Sequence, residues 1–107
     1  VLASIIGSDD RDLLLQMADL FVSTFPGLQT RIEQAIDNQD RGELREAAHA
    51  AKGASRNAGA TPLGDILYEI EEGAANLDLA DLRDLADQAA KEFGRILKTL
   101  EAEQQGQ

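Results

Sequence analysis

The spacing of the apolar residues is what most constrains the fold of this chain. From Leu82 onward, Leu85, Ala86, Ala89, Phe93, Ile96, Leu97 and Leu100 recur every three or four positions, the interval that lines one face of an α-helix. The same interval recurs in Leu14, Met17, Ala18, Phe21, Val22 and Phe25, and again in Leu28, Ile32, Ala35 and Ile36. It returns in Leu44, Ala47, Ala48, Ala51 and Ala58, and in Leu63, Ile66, Leu67, Ile70, Ala74 and Leu77. No stretch alternates with the two-residue period of a half-buried strand, and no Asn-Gly or Asp-Gly pair marks a hairpin. Each stripe must be covered, and short connections between amphipathic helices favour antiparallel neighbours. The expectation is an all-α, antiparallel four-helix bundle with up-down-up-down order. With 107 residues there is material for one domain, residues 1–107. Three Phe, one Tyr and no Trp leave the core to Leu, Ile and Ala, which suits helices that approach closely.

Local signals place the helix ends. Residues 1–7, VLASIIG, are apolar and close on a glycine, so a short extra N-terminal helix lying across the bundle is expected. Ser8, Asp9 and Asp10 are good caps for a helix over 9–38, which Pro26 either kinks or breaks. Asp40 with Glu43 three residues later reads as a capping box for a helix over 41–58, with Gly59 as its left-handed terminator. Thr61 and Pro62 supply a cap and a first-turn proline for a helix over 62–76, with Asp65, Glu69 and Glu72 turned to solvent. The last helix is expected over 79–102, with a polar end that frays.

Composition excludes several chemistries. Without cysteine there is no disulfide, thiolate zinc site or cysteine nucleophile, and a single histidine rules out a multi-histidine metal site. A net charge of −10 repels nucleic acid and anionic membranes. The charge is uneven: residues 41–60 hold Arg41, Arg45, Lys52 and Arg56 against Glu43 and Glu46, a net of +2, so the remainder carries −12. No run is long enough for a membrane span or signal peptide, which gives a cytoplasmic default. The absence of GxxxxGK[ST], kinase-type and GxGxxG glycine patterns leaves no nucleotide site. No cofactor or metal is called for, and a monomer is the simplest assembly.

The one basic patch surrounds the one histidine. At about 3.6 residues per turn, Arg45, Lys52, Gly53 and Arg56 share a face with His49, while the apolar set lies opposite. A glycine inside a helix costs about 1 kcal/mol relative to alanine, so Gly53 asks for a reason. Helical side chains lean back over the preceding turn. A side chain at residue 53 would therefore lie over the His49 ring, and Gly53 leaves the ring bare while Lys52 leans its ammonium toward the same spot. With a reference pKa of about 6.5 the imidazole is largely neutral near pH 7. Neighbouring cations disfavour its protonation and would stabilise an anion attached to it. Both effects suit a histidine that accepts a phosphoryl group on a ring nitrogen. A Ser-His-Asp arrangement is poorly supported, because Ser55 points about 240° round the helix from His49. An exposed histidine among cations is most often only a solvated residue; the conjunction with Gly53 on one face favours function.

The stretch Ala48–Leu63, AHAAKGASRNAGATPL, resembles the signature of histidine-containing phosphotransfer (HPt) domains. The matching residues are Ala48-His49, Lys52-Gly53, Ser55, Gly59-Ala60 and Leu63, with Ile70-Glu71 closing the block; Ala51 and Ala54 depart from the usual Leu and Ser. Ile6-Gly7, Asp10, Phe21 to Phe25 and the Ala35 to Asp40 lead-in extend the resemblance over nearly the whole chain. It implies that His49 takes a phosphoryl group from a receiver-domain aspartate of a response regulator and passes it to another receiver. On that resemblance Lys52 steadies the phosphoryl oxygens, Gly53 clears the approach, and the receiver supplies Mg²⁺ and the catalytic groups. The domain would be a carrier without turnover of its own. The docking face would comprise Arg45, Lys52, Arg56 and Asn57, with Leu13, Met17 and Leu20 where exposed. A start at Val1 without Met fits a module of a hybrid sensor histidine kinase, with the kinase in cis. The alternatives are the phosphorylatable domain of chemotaxis kinases and a helical interaction module whose histidine is inert.

Overall fold

The structure, a computed structural model, describes the backbone of residues 2–105 and the side chains of residues 16 and 18–102. Four helices follow one another: α1 (Leu2–Asp37), α2 (Arg41–Asn57), α3 (Thr61–Gly73) and α4 (Leu79–Gln105). No strand occurs among the described residues. Helix α2 packs against α1 and α3, α3 against α4, and α4 back against α1, which closes the four-helix ring.

The stripes read from the sequence form the core, except that Leu77 is exposed and the side chains of Leu14 and Met17 lie outside the described residues. Phe25, Ile32, Leu44, Leu63, Leu67, Ile70 and Leu82 are fully buried. All three phenylalanines meet at the α1–α4 seam: Phe25 stacks on Phe93 with centroids 4.6 Å apart, and Phe21 lies 5.5 Å from Phe25 and 5.4 Å from Phe93. That cluster supplies most of the aromatic burial and ties the longest helices together. The inward face of α2 is different. Ala47, Ala48 and Ala51 are completely buried there, so its neighbours meet methyl groups and can come near.

Several helix ends differ from the sequence expectation. The short helix expected over residues 1–7 is continuous with α1, which runs unbroken from Leu2. A helical glycine such as Gly7 costs only about 1 kcal/mol and is no stop by itself. Pro26 also lies within α1 and does not end it. It sits on the exposed side of the helix, where water can take the place of the N–H it lacks. At the α1–α2 junction, Asp40 accepts a bond from the Glu43 N–H at 3.1 Å, as a cap should. The return half of the capping box is absent. The Asp40 N–H is already bonded to the Ala35 carbonyl at 2.8 Å, and Glu43 instead accepts from Nε and Nη2 of Arg31 at 2.9 and 3.1 Å. That pairing holds the Glu43 carboxyl below its ordinary range.

Gly59 terminates α2 as expected, with φ +79°, Gly59 N–H to Arg56 O at 3.0 Å and Ala60 N–H to Ser55 O at 2.8 Å. Ala60 is also the N-cap of α3, so Thr61 is a helical residue rather than the cap, and no side chain caps this end. The linker is simply too short for a separate cap. Helix α3 stops at Gly73 rather than residue 76, and Leu77 is partly exposed, folded back over Gly73 where a Cβ would collide with it. Arg41 seals this end from across the bundle, donating to the Ala74 and Leu77 carbonyls at 2.9 and 2.8 Å.

Candidate functional site

Two neighbouring helices build the site. Leu44, Ala47, Ala48, Ala51 and Ser55 turn inward from α2, and this rotation fixes His49 on the opposite, solvent side. The imidazole is 68% exposed, as a ring that meets a partner must be. Its Nδ1 lies 2.9 Å from Oε2 of Glu71 on α3. An ionised carboxylate only accepts, so Nδ1 carries the proton and donates it. In the neutral ring the lone pair is then on Nε2, which has no protein partner among the described residues. The second Glu71 oxygen, Oε1, lies 2.6 Å from Nζ of Lys52. Glu71 and Lys52 are mostly buried, 10% and 15% exposed, so a largely sunken ion pair supports the exposed ring. Lys52 first, and then the His49 ring, hold the Glu71 carboxyl below its usual range, against the opposing effect of burial.

The cations are arranged differently from the sequence expectation. The charged group touching the imidazole is a carboxylate, not an ammonium. Lys52 stands behind it, with Nζ 5.4 Å from the centroid of Tyr68. Arg56 also lies over Tyr68, its guanidinium 5.9 Å from the centroid, and its stem runs past Gly64, where a Cβ would meet Arg56 Cγ at 3.0 Å. Arg45 is exposed and lines a shallow depression of about 330 Å³ with Glu46, His49 and Glu71. Gly53 faces open space: a Cβ there meets nothing within 4 Å. An alanine methyl would therefore leave the ring free, and only a longer side chain reaches over it.

On the α1 side of α2, Leu20, Phe21, Thr24, Ala54 and Asn57 line a mainly apolar groove of about 220 Å³. Leu20 is 67% exposed at its edge. The structure thus places Leu20 and Asn57 together in one groove, whereas Arg45, Lys52 and Arg56 lie on the His49 face or toward α3. The side chains of Leu13 and Met17 lie outside the described residues. Among the described residues no group of acidic or histidine side chains could hold a metal ion, and no helix is long and apolar enough to cross a membrane.

Glu71 is the residue whose role the sequence did not reveal, although Ile70-Glu71 closes the stretch that resembles the family signature. Asp65, Glu69 and Glu72 are exposed, but Glu71 follows Leu67 by one turn and adjoins Ile70, on the inward flank of α3. A lone carboxylate on an otherwise apolar flank was the available signal, since a buried charge needs a partner.

A family model described as "Hpt domain" matches residues 16–105, which takes in every element of the site. No curated protein and no solved structure gives a significant match.

Proposed function

The chain belongs to the Hpt domain family, the carriers of histidine phosphotransfer in two-component phosphorelays that dock on receiver domains, and from this we propose that His49 is its phosphoryl-bearing residue. The observation that carries the proposal is the Nδ1–H···Glu71 bond at 2.9 Å, which leaves Nε2 unprotonated and open to solvent. In the accepting step the Nε2 lone pair attacks phosphorus of a receiver aspartyl phosphate. The N–P bond forms as the P–O bond to the aspartate breaks, and the electron pair leaves on the carboxylate. In the donating step the electron pair of the N–P bond returns to Nε2 as the next receiver's aspartate takes the phosphoryl group. Mg²⁺ and the catalytic groups come from the receiver.

Each neighbour has a part. Lys52 has three N–H donors, so its ion pair with Glu71 leaves donors for the phosphoryl oxygens. Gly53 keeps the approach open. The groove at Leu20 and Asn57 offers an apolar seat beside the histidine, and Arg45 and Arg56 complement the acidic rim expected around a receiver's phosphorylation site. The chain has no nucleotide loop, so the phosphoryl group originates in another domain, and we place it in a hybrid sensor histidine kinase in the cytoplasm.

The test is transfer from a phosphorylated receiver, followed by mapping of the label. Acid-labile phosphate is expected on the wild-type chain and none on His49→Gln, with helical content unchanged. Label retained in the variant, or found on another residue, would refute the assignment.

A further inference from the structure

Orientation of the imidazole needs only an acceptor at Nδ1, and a neutral amide oxygen would serve. This chain uses a carboxylate, mostly buried and shared with Lys52. Burying a charge is costly when something neutral would do, so the charge itself calls for an explanation. It lies in the proton inventory of the transfer. A neutral ring protonated on Nδ1 that gains a phosphoryl group on Nε2 becomes a phosphorylated imidazolium. If it then loses the Nδ1 proton to water, the phosphoryl group can leave only from an imidazolate, a far poorer leaving group. If the proton stays, the N–P bond breaks with its electrons returning to Nε2, neutral imidazole departs, and no proton enters or leaves the site.

We propose that Glu71 is a positioning residue that keeps the Nδ1 proton on phosphorylated His49, so that the carrier stays poised to donate rather than store its phosphoryl group. This rests on the reading of His49 as the phosphoryl carrier. The charged groups facing the ring are Glu71 of α3 and Arg45, Glu46 and Lys52 of its own helix, and of these only Glu71 touches it. Arg45 and Lys52 oppose the effect from further off. An opposite charge at hydrogen-bond range favours the protonated ring, and Lys52, by sharing the same carboxylate, tempers that effect.

The experiment uses the full chain and a receiver-free donor, phosphoramidate, so that no docking step enters. His49 is phosphorylated chemically, excess donor is removed, and spontaneous loss of phosphate is followed across a pH series in wild type and Glu71→Gln. The glutamine retains an acceptor for Nδ1–H but not the charge. The falling limb of the profile is expected about one pH unit lower in Glu71→Gln, so that on this limb the variant holds its phosphate about ten times longer. Coincident profiles would overturn the inference and leave the carrier assignment standing. In a measurement needing no variant, the phosphorylated ring's nitrogen resonances are titrated in the native and urea-unfolded wild type. A native midpoint above the unfolded one is expected; an equal or lower midpoint overturns the inference. Failure of phosphoramidate to label His49 would count against the carrier assignment itself and remove the basis of the inference with it.

Discussion

Replacing Lys52 with methionine isolates the energetics of the buried pair. The substitution keeps most of the stem but removes the ammonium 2.6 Å from Glu71, leaving a carboxylate that is only 10% exposed with the His49 Nδ1–H as its remaining partner. Breaking a fully buried pair costs about 3–5 kcal/mol, whereas exposed pairs contribute at most about 1 kcal/mol. This pair is not fully buried and Glu71 keeps its bond from His49, so a loss of about 2 kcal/mol is expected at pH 7. For a domain of this size that lowers Tm by roughly 8–16 °C. The pH dependence identifies the cause. In wild type the Glu71 carboxyl titrates below its usual range, so its contribution is present above the unfolded pKa of about 4.3 and is lost as pH falls through the lower folded value. Without Lys52 the main cause of that lowering is gone while the burial remains. The penalty of the substitution should therefore be largest at neutral pH and shrink toward pH 4, where the carboxyl takes up a proton. Urea titrations of both proteins from pH 4 to 8 measure it. A penalty that does not change with pH would mean that the Lys52 ammonium stabilises through its place over the Tyr68 ring rather than through Glu71, and that the charge argument is wrong.

Three further outcomes follow from the same geometry. Gly53→Ala should raise stability by about 1 kcal/mol through helix propensity and leave transfer rates unchanged, because a Cβ there meets nothing within 4 Å; Gly53→Gln should slow transfer from a phosphorylated receiver, and wild-type rates in the glutamine variant would defeat the access argument. Gln39 holds φ +56° at the end of α1, with its N–H on Ile36 O at 3.0 Å and the Asp40 N–H on Ala35 O, so Gln39→Gly should stabilise the fold by about 1 kcal/mol in urea titration. Phe25→Ala removes a fully buried ring stacked on Phe93 and should cost about 3–5 kcal/mol by the same assay.

The parts of the fold legible in the sequence are those decided within a turn or two of chain. The stripes of α3 and α4 fell where the core lies, and Gly59 ended α2 because an unencumbered left-handed residue is a local requirement. His49 was legible as outward for the same reason, since the alanines around it fix the rotation of its helix. What escaped depends on residues brought together from afar. Arg41 closes the end of α3 from 33 residues upstream, Glu43 abandons its capping role for Arg31 on another helix, and Glu71 reaches a histidine 22 residues before it. Gln39 escaped for a different reason: the left-handed turn it occupies is usually given to glycine, and its polar neighbours marked only a loop.

The alanines of α2 explain how an outward-facing histidine and an inward-leaning glutamate can meet at all. Successive residues turn about 100° round a helix, so Ala48, Lys52 and Ser55 form one ridge on the side of α2 that faces α3. Ala48 and Ser55 are completely buried, and the Ser55 hydroxyl folds back onto the Ala51 carbonyl at 2.8 Å, so neither end of the ridge holds α3 away. Gly64 on α3 adds a notch for the Arg56 stem on the same seam. With small groups above and below it, Lys52 is the one long side chain of the ridge, and it runs along the seam to Glu71 instead of out to solvent. A larger residue at 48 would have to be accommodated by moving α3 outward, and Glu71 would move with it. A shift of 1 Å lengthens the 2.9 Å contact to His49 beyond hydrogen-bond range. The small residues of the hidden face thus control the protonation geometry of the ring on the exposed one.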